Sequence, residues 1–142
     1  MTHIDEITER VIASAIDIHR SLGPGMFEMV YQRLLAHELE RKGVPVQRQL
    51  LLPVEYGGLR VAEAYRIDLL VNDEVVVEVK SLEKLAPIHT QQILTYLRLS
   101  HKKMGLILNF GAPTLREGIK RVVNGYTDIS SSPLRVNRPP AA

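Results

Sequence analysis

The sequence contains no cysteine. Disulfides and thiolate zinc sites are therefore excluded, and a cytoplasmic protein is expected. Aromatic residues are few, with two phenylalanines, five tyrosines and no tryptophan. That composition does not advertise strong stacking on single-stranded nucleic acid. No apolar run approaches the length of a membrane span, and the acidic, polar N-terminus does not resemble a signal peptide, so no membrane partner is expected. Charge of one sign is lacking as well. The formal net charge is only +2, which neither demands nor excludes nucleic acid, because local patches matter more than the total. No internal repeat is present. What remains is a chain of 142 residues, 45% hydrophobic, which suits one ordinary domain with a real core.

The most informative stretch is residues 66–80, RIDLLVNDEVVVEVK. Two apolar, β-prone runs flank Asn72, Asp73 and Glu74, and Asn-Asp is turn chemistry, so the stretch reads as a β-hairpin. A three-residue turn sets Val71 opposite Val75 and Asp68 opposite Glu78. Alternation along each strand then gives one face of Ile67, Leu69, Val71, Val75, Val77 and Val79. The other face carries Arg66, Asp68, Leu70, Val76, Glu78 and Lys80. A two-residue turn would bury Asp68 unpaired among valines, at a cost of several kcal/mol. Two carboxylates on adjacent strands make a hard oxygen site suited to Mg²⁺ or Mn²⁺. A lysine on the same face can hold a water or a phosphate oxygen. Together these groups serve phosphodiester hydrolysis. A solvated sheet face with Glu78 and Lys80 as cross-strand partners is the ordinary alternative for such a pattern.

The flanking segments supply the rest of the fold. Apolar residues at Ile4, Ile7, Val11, Ala15, Ile18 and Leu22 predict a helix over 4–22 with one buried face. Gly23-Pro24-Gly25 ends it. A second helix is expected over 26–42, with Glu28 in its first turn, an ordinary place for a surface acid. Residues 44–56 read as an edge or bulged strand because of Pro45 and Pro53. Gly57-Gly58 reads as a hairpin turn and 59–71 as a long strand. Pro87 opens a helix over 88–100, on which Gln92 and Tyr96 share a face. Residues 104–110 read as a buried strand and 115–123 as a last helix. The domain is expected to span 1–126, with 127–142, rich in Ser, Pro and Arg, as a disordered tail. The order ααβββαβ(α) describes an α/β (α+β) domain, a mixed four-stranded sheet flanked by helices.

This arrangement, with Asp68 on the second strand and Glu78-Val79-Lys80 on the third, resembles the PD-(D/E)xK nuclease superfamily and its restriction-endonuclease-like core. Gly25, Glu28 and Tyr31 also fit GxxExxY, the pattern of the GxxExxY proteins, a bacterial branch of that superfamily. The resemblance spans about residues 4–124. It implies a metal-dependent nuclease acting on DNA, with RNA as the second choice. Asp68 and Glu78 would bind Mg²⁺ or Mn²⁺, with the Val79 backbone carbonyl and Glu28 as further ligands and His19 as a weaker one. Lys80 would position the attacking water. Gln92 and Tyr96 match a QxxxY helix motif that supports such sites. Arg66, Lys84, Arg98 and Gln92 are candidate nucleic-acid contacts, beside Arg33, Lys102 and Lys103. Ile67 stands where relatives often carry proline. A homodimer is one arrangement that would cover a duplex. Because fold does not set function, the alternative is a catalytically silent nucleic-acid-binding or protein-interaction module that keeps the nuclease fold.

Overall fold

The expected helical spacing is realised as α1, His3–Leu22, whose Ile7, Val11 and Ala15 are buried along one stripe. A computed structural model describes residues 3–125. Residue 126 and the expected tail at 127–142 lie outside the described residues. Gly23, at φ 72, caps α1 by donating its N–H to the His19 carbonyl at 2.7 Å. The second helix, α2, runs Glu28–Arg41. It starts two residues later than its periodicity suggests, because Phe27 is extended at φ −68, ψ 151. Among the described residues no helix is long and apolar enough to cross a membrane.

β1, Val46–Tyr56, and β2, Leu59–Val71, form a long antiparallel hairpin whose register shifts between Leu52 and Val54, at Pro53. Gly57 and Gly58, at φ 57 and 85, make the two-residue turn that joins them. β3, Val75–Lys80, pairs back on β2 with Val71 opposite Val75, as the three-residue turn requires. Asn72 and Asp73 take the left-handed conformation there, which their side chains tolerate. α3, Pro87–Ser100, crosses over to β4, Met104–Asn109, which runs parallel to β3.

The sheet has five strands in the order β1-β2-β3-β4-β5, where four were expected. The extra strand is β5, Ile119–Val123, antiparallel to β4. The expected last helix over 115–123 is therefore incorrect: a single 3-10 turn, Leu115–Gly118, is followed by strand. Two reasons can be named. Ile119, Val122 and Val123 are β-branched and find a partner in β4. Gly118 packs on the Asn109 backbone so closely that a Cβ would stand 2.2 Å from that carbonyl oxygen.

The sheet is covered on both faces. Leu69, Val71, Val75, Val77, Val79, Leu106 and Leu108 pack under α1 and α2. Leu70, Val76 and Ile107 pack under α3 with Ile93 and Leu97. Ile67 was expected beside Leu69 but lies in the α3 layer. The same inversion occurs on β1, where Val46 faces α1 and α2 while Leu50 and Leu52 face α3. Gln49 sits at the crossover with φ 54, rare for a residue with a side chain. Arg48 pairs with Leu69 and Leu50 with Ile67, but the rung of Gln49 and Asp68 between them is missing. A left-handed residue at that point turns the ribbon over, so alternation fails across it.

Candidate active site

Asp68 and Glu78 meet where β2 and β3 diverge. The ladder between these strands ends at Leu69 and Val77, one rung short of the two acids. The backbone groups released there find side-chain partners. Asp68 N–H donates to Glu78 Oε1 at 3.1 Å, and Val79 N–H donates to Asp68 Oδ2 at 2.9 Å. Each carboxylate thus closes the gap on the opposite strand. One oxygen of each remains outside these bonds. Glu78 is buried at 5% exposure, and Asp68 is half-buried.

Burial of two acids side by side is costly, and their protonation shows it. Burial first, and the neighbouring Asp68 charge second, push the Glu78 carboxyl up to about 9. Burial also raises Asp68, and the Glu28 charge adds to it. The Val79 N–H and the Lys80 ammonium oppose the rise at Asp68, and Lys80 does so at Glu78 too. Lys80 is therefore electrostatically engaged with both acids. Both carboxyls are thus raised by their burial, and as a coupled pair they hold a shared proton around neutral pH. Tyr96, from α3, feels the same charges. Its burial, then Glu78 and Asp68, push its phenol up to about 12. Its ring meets Tyr65 edge-on at 5.7 Å.

Glu28 reaches this centre from the other helical layer. Its Oε2 accepts the Ser81 N–H at 3.2 Å, and the Ser81 hydroxyl donates to the Met26 carbonyl at 2.7 Å. The loop that carries Glu28 is held from beneath by Tyr31. The buried Tyr31 ring stacks on Phe110 at 4.2 Å, and its hydroxyl donates to the Gly23 carbonyl and accepts the Met26 N–H. Gly25, at φ 111, lets the chain turn between these anchors. Of the sequence pattern, Gly25 turns the loop, Tyr31 pins it, and Glu28 is the acid that follows it.

The remaining predicted residues are dispersed. Gln92 is half-buried one turn before Tyr96 on α3. His19 is buried, with Nε2 at 3.1 Å from the carbonyls of Phe110 and Ala112, so it ties α1 to the segment after β4. Arg66, Lys84, Arg33 and Lys103 are exposed. Lys102 pairs with Asp73 at 3.2 Å. Arg98 is half-buried, and its Nε has no hydrogen-bond partner among the described residues. Among the described residues no three His, Asp or Glu side chains are grouped to hold an ion.

Four supporting residues went unnoticed in the sequence. Asn109 is buried and binds Leu82 twice, accepting its N–H at 2.9 Å and donating to its carbonyl at 3.0 Å. It thereby fixes the strap that follows Lys80. Ser81, described above, links that strap to α2. Gln49 Nε2 donates to the buried Gln32 Oε1 at 2.6 Å, one helical turn from Glu28. An asparagine inside an otherwise apolar run was the visible signal for Asn109. The other three carried none.

The chain matches the family model of the PD-(D/E)XK nuclease superfamily over residues 5–122. No curated protein and no solved structure matches it. The matched span reaches from α1 into β5 and includes Asp68 and Glu78. The match covers most of the chain and agrees with its five-stranded mixed sheet flanked by helices, and the chain belongs to the PD-(D/E)XK nuclease superfamily.

Proposed function

We propose that the protein is a divalent-metal-dependent nuclease that hydrolyses phosphodiester bonds of DNA, with RNA as the second substrate to test. The observation that carries this reading is the pair of carboxylates, Asp68 and Glu78, set side by side at the fork of β2 and β3, with Glu78 buried and burial raising both carboxyls. Such a pair fits a hard divalent cation, which would displace the shared proton and offset both charges. Nucleases of the superfamily generally use divalent metals. Asp68 and Glu78 would hold Mg²⁺ or Mn²⁺, with the Val79 carbonyl and Glu28 as additional oxygen donors. When bound, the ion supplies positive charge that polarises the phosphoryl group and acidifies water.

The chain's own groups have separate tasks. Lys80 orients the attacking water and compensates negative charge on the phosphate. Glu28, aimed by the Ser81 strap, faces the same centre. Tyr96 is protonated at any working pH and donates a hydrogen bond, while Gln92 contacts the substrate strand. Arg66, Lys84 and Arg98 are the proposed phosphate contacts around this centre. Within the superfamily, Gly25, Glu28 and Tyr31 support placement in the GxxExxY branch.

The test is incubation of the pure protein with Mg²⁺ or Mn²⁺ and single- and double-stranded DNA and RNA. Cleavage by the wild type and none by Glu78→Ala or Lys80→Ala is the expected result. Equal cleavage by those variants, or none by any form, removes the enzymatic reading and leaves the silent module.

A further inference from the structure

The two phenylalanines are used in opposite ways. Phe110 is fully buried, whereas Phe27 is 84% exposed, the most exposed large apolar side chain in the described residues. Phe27 is not loose. Its carbonyl accepts the Val30 N–H at 3.0 Å as α2 begins. Both neighbours are tied to Ser81: Met26 through its carbonyl and Glu28 through its carboxylate. A rigid backbone thus presents an aromatic ring to solvent, one residue from Glu28 and bridged to the residue after Lys80. Met29, two residues further on, is 48% exposed. Arg48 reaches over it with a guanidinium nitrogen 3.9 Å from the sulfur. Arg48 is exposed and has no carboxylate partner among the described residues. It pairs with Leu69 across the sheet, so it stands one residue from Asp68.

An exposed ring at the start of α2, with a guanidinium on the residue two positions further along, complements a nucleobase and a neighbouring phosphate. In a duplex the base faces are occupied by their neighbours, so the ring can engage only an unstacked base. We propose that Phe27 is a base-stacking platform, and Arg48 its phosphate contact, for a single strand that enters the site over the N-terminus of α2. This rests on the reading of the site as one that takes nucleic acid, and it assigns the strandedness that the reading leaves open.

The test is equilibrium binding by fluorescence anisotropy in EDTA, where no cleavage is needed. Three probes of equal length are used: a single-stranded oligonucleotide, the same strand with abasic positions throughout, and the duplex. Phe27→Ala should weaken single-strand binding roughly 10-fold, within the range of alanine substitutions at stacking positions. Phe27→Trp should stay within about twofold of wild type, and Phe27→Leu should resemble alanine, because stacking rather than apolar area is at stake. On the abasic strand and the duplex, Phe27→Ala should bind like wild type. Arg48→Ala should weaken all three and reduce the salt dependence by about one counterion.

Wild-type affinity in Phe27→Ala for the single strand, or an equal loss on the abasic strand, overturns the proposal. So does sedimentation that shows a dimer dissolved by Phe27→Ala. A wild type that binds none of the three probes removes the nucleic-acid reading as well. Binding that ignores Phe27 removes only the stacking.

Discussion

Replacing Glu78 by glutamine should make the metal-free protein more stable, increasingly so as pH rises. In the unfolded chain this carboxyl titrates near 4.5, and in the folded one near 9. Between those values the native state binds the extra proton, so its stability is full below about 4.5 and is lost as pH rises through about 9. At about 1.4 kcal/mol per unit, the whole window amounts to about 6 kcal/mol, an order-of-magnitude figure comparable with the total stability of a small domain. Glutamine mimics the protonated acid. Its oxygen still accepts the Asp68 N–H, and its amide supplies a donor beside the Asp68 carboxylate. The assay is urea unfolding in EDTA at intervals from about pH 5 to about pH 9. The difference between variant and wild type should widen by roughly 1 kcal/mol per unit, somewhat less where Asp68 shares the proton. Mg²⁺ should recover the wild type at alkaline pH and leave the variant nearly unmoved. Curves that stay parallel over the whole range would refute the account of a buried, proton-sharing pair.

Other outcomes follow from the same contacts. Divalent-ion affinity, measured by calorimetry, should rise by up to about tenfold per pH unit below about 9, because Glu78 must release its proton, and a flat profile counts against the site. Lys80→Ala should weaken that affinity at neutral pH, since the ammonium favours both ionised carboxylates; unchanged binding would show that its charge is screened. Tyr31→Phe should lose about 1–2 kcal/mol in urea unfolding, because the buried ring keeps its stack but the Met26 N–H loses its acceptor. Gly118→Ala should cost several kcal/mol, as its Cβ would stand 2.2 Å from the Asn109 carbonyl oxygen; a thermal midpoint within a degree of wild type would disprove the close approach.

Much of the site was legible because it rests on short-range rules. The turn at Asn72–Glu74 sets the hairpin register within a few residues, and that register alone brings Asp68 toward Glu78. Helical periodicity likewise located α1 and α3 to within a residue. Apart from the start of α2, where Phe27 is locally extended, the misreadings are long-range. Residues 115, 119, 122 and 123 are apolar at spacings that fit a helix, and only the presence of β4 as a neighbour makes strand the better solution. Ile67 looked like a partner of Leu69 because alternation assumes an unbroken strand, and nothing near it in sequence reveals the left-handed residue at Gln49.

By itself, then, the sequence determined which residue types share one hairpin: two acids and a lysine on the strands that flank a three-residue turn. Backbone stereochemistry and alternation suffice for that. Only the tertiary structure decided what those acids do to one another. The strands splay a single rung before the acids would pair, each carboxylate takes up a stranded N–H, and two helical layers close over them. Desolvation depends on everything packed around a group, so a raised carboxyl exists only in the folded chain. The same holds for Phe27, whose neighbours Met26 and Glu28 are both held by Ser81, far downstream of them in the sequence.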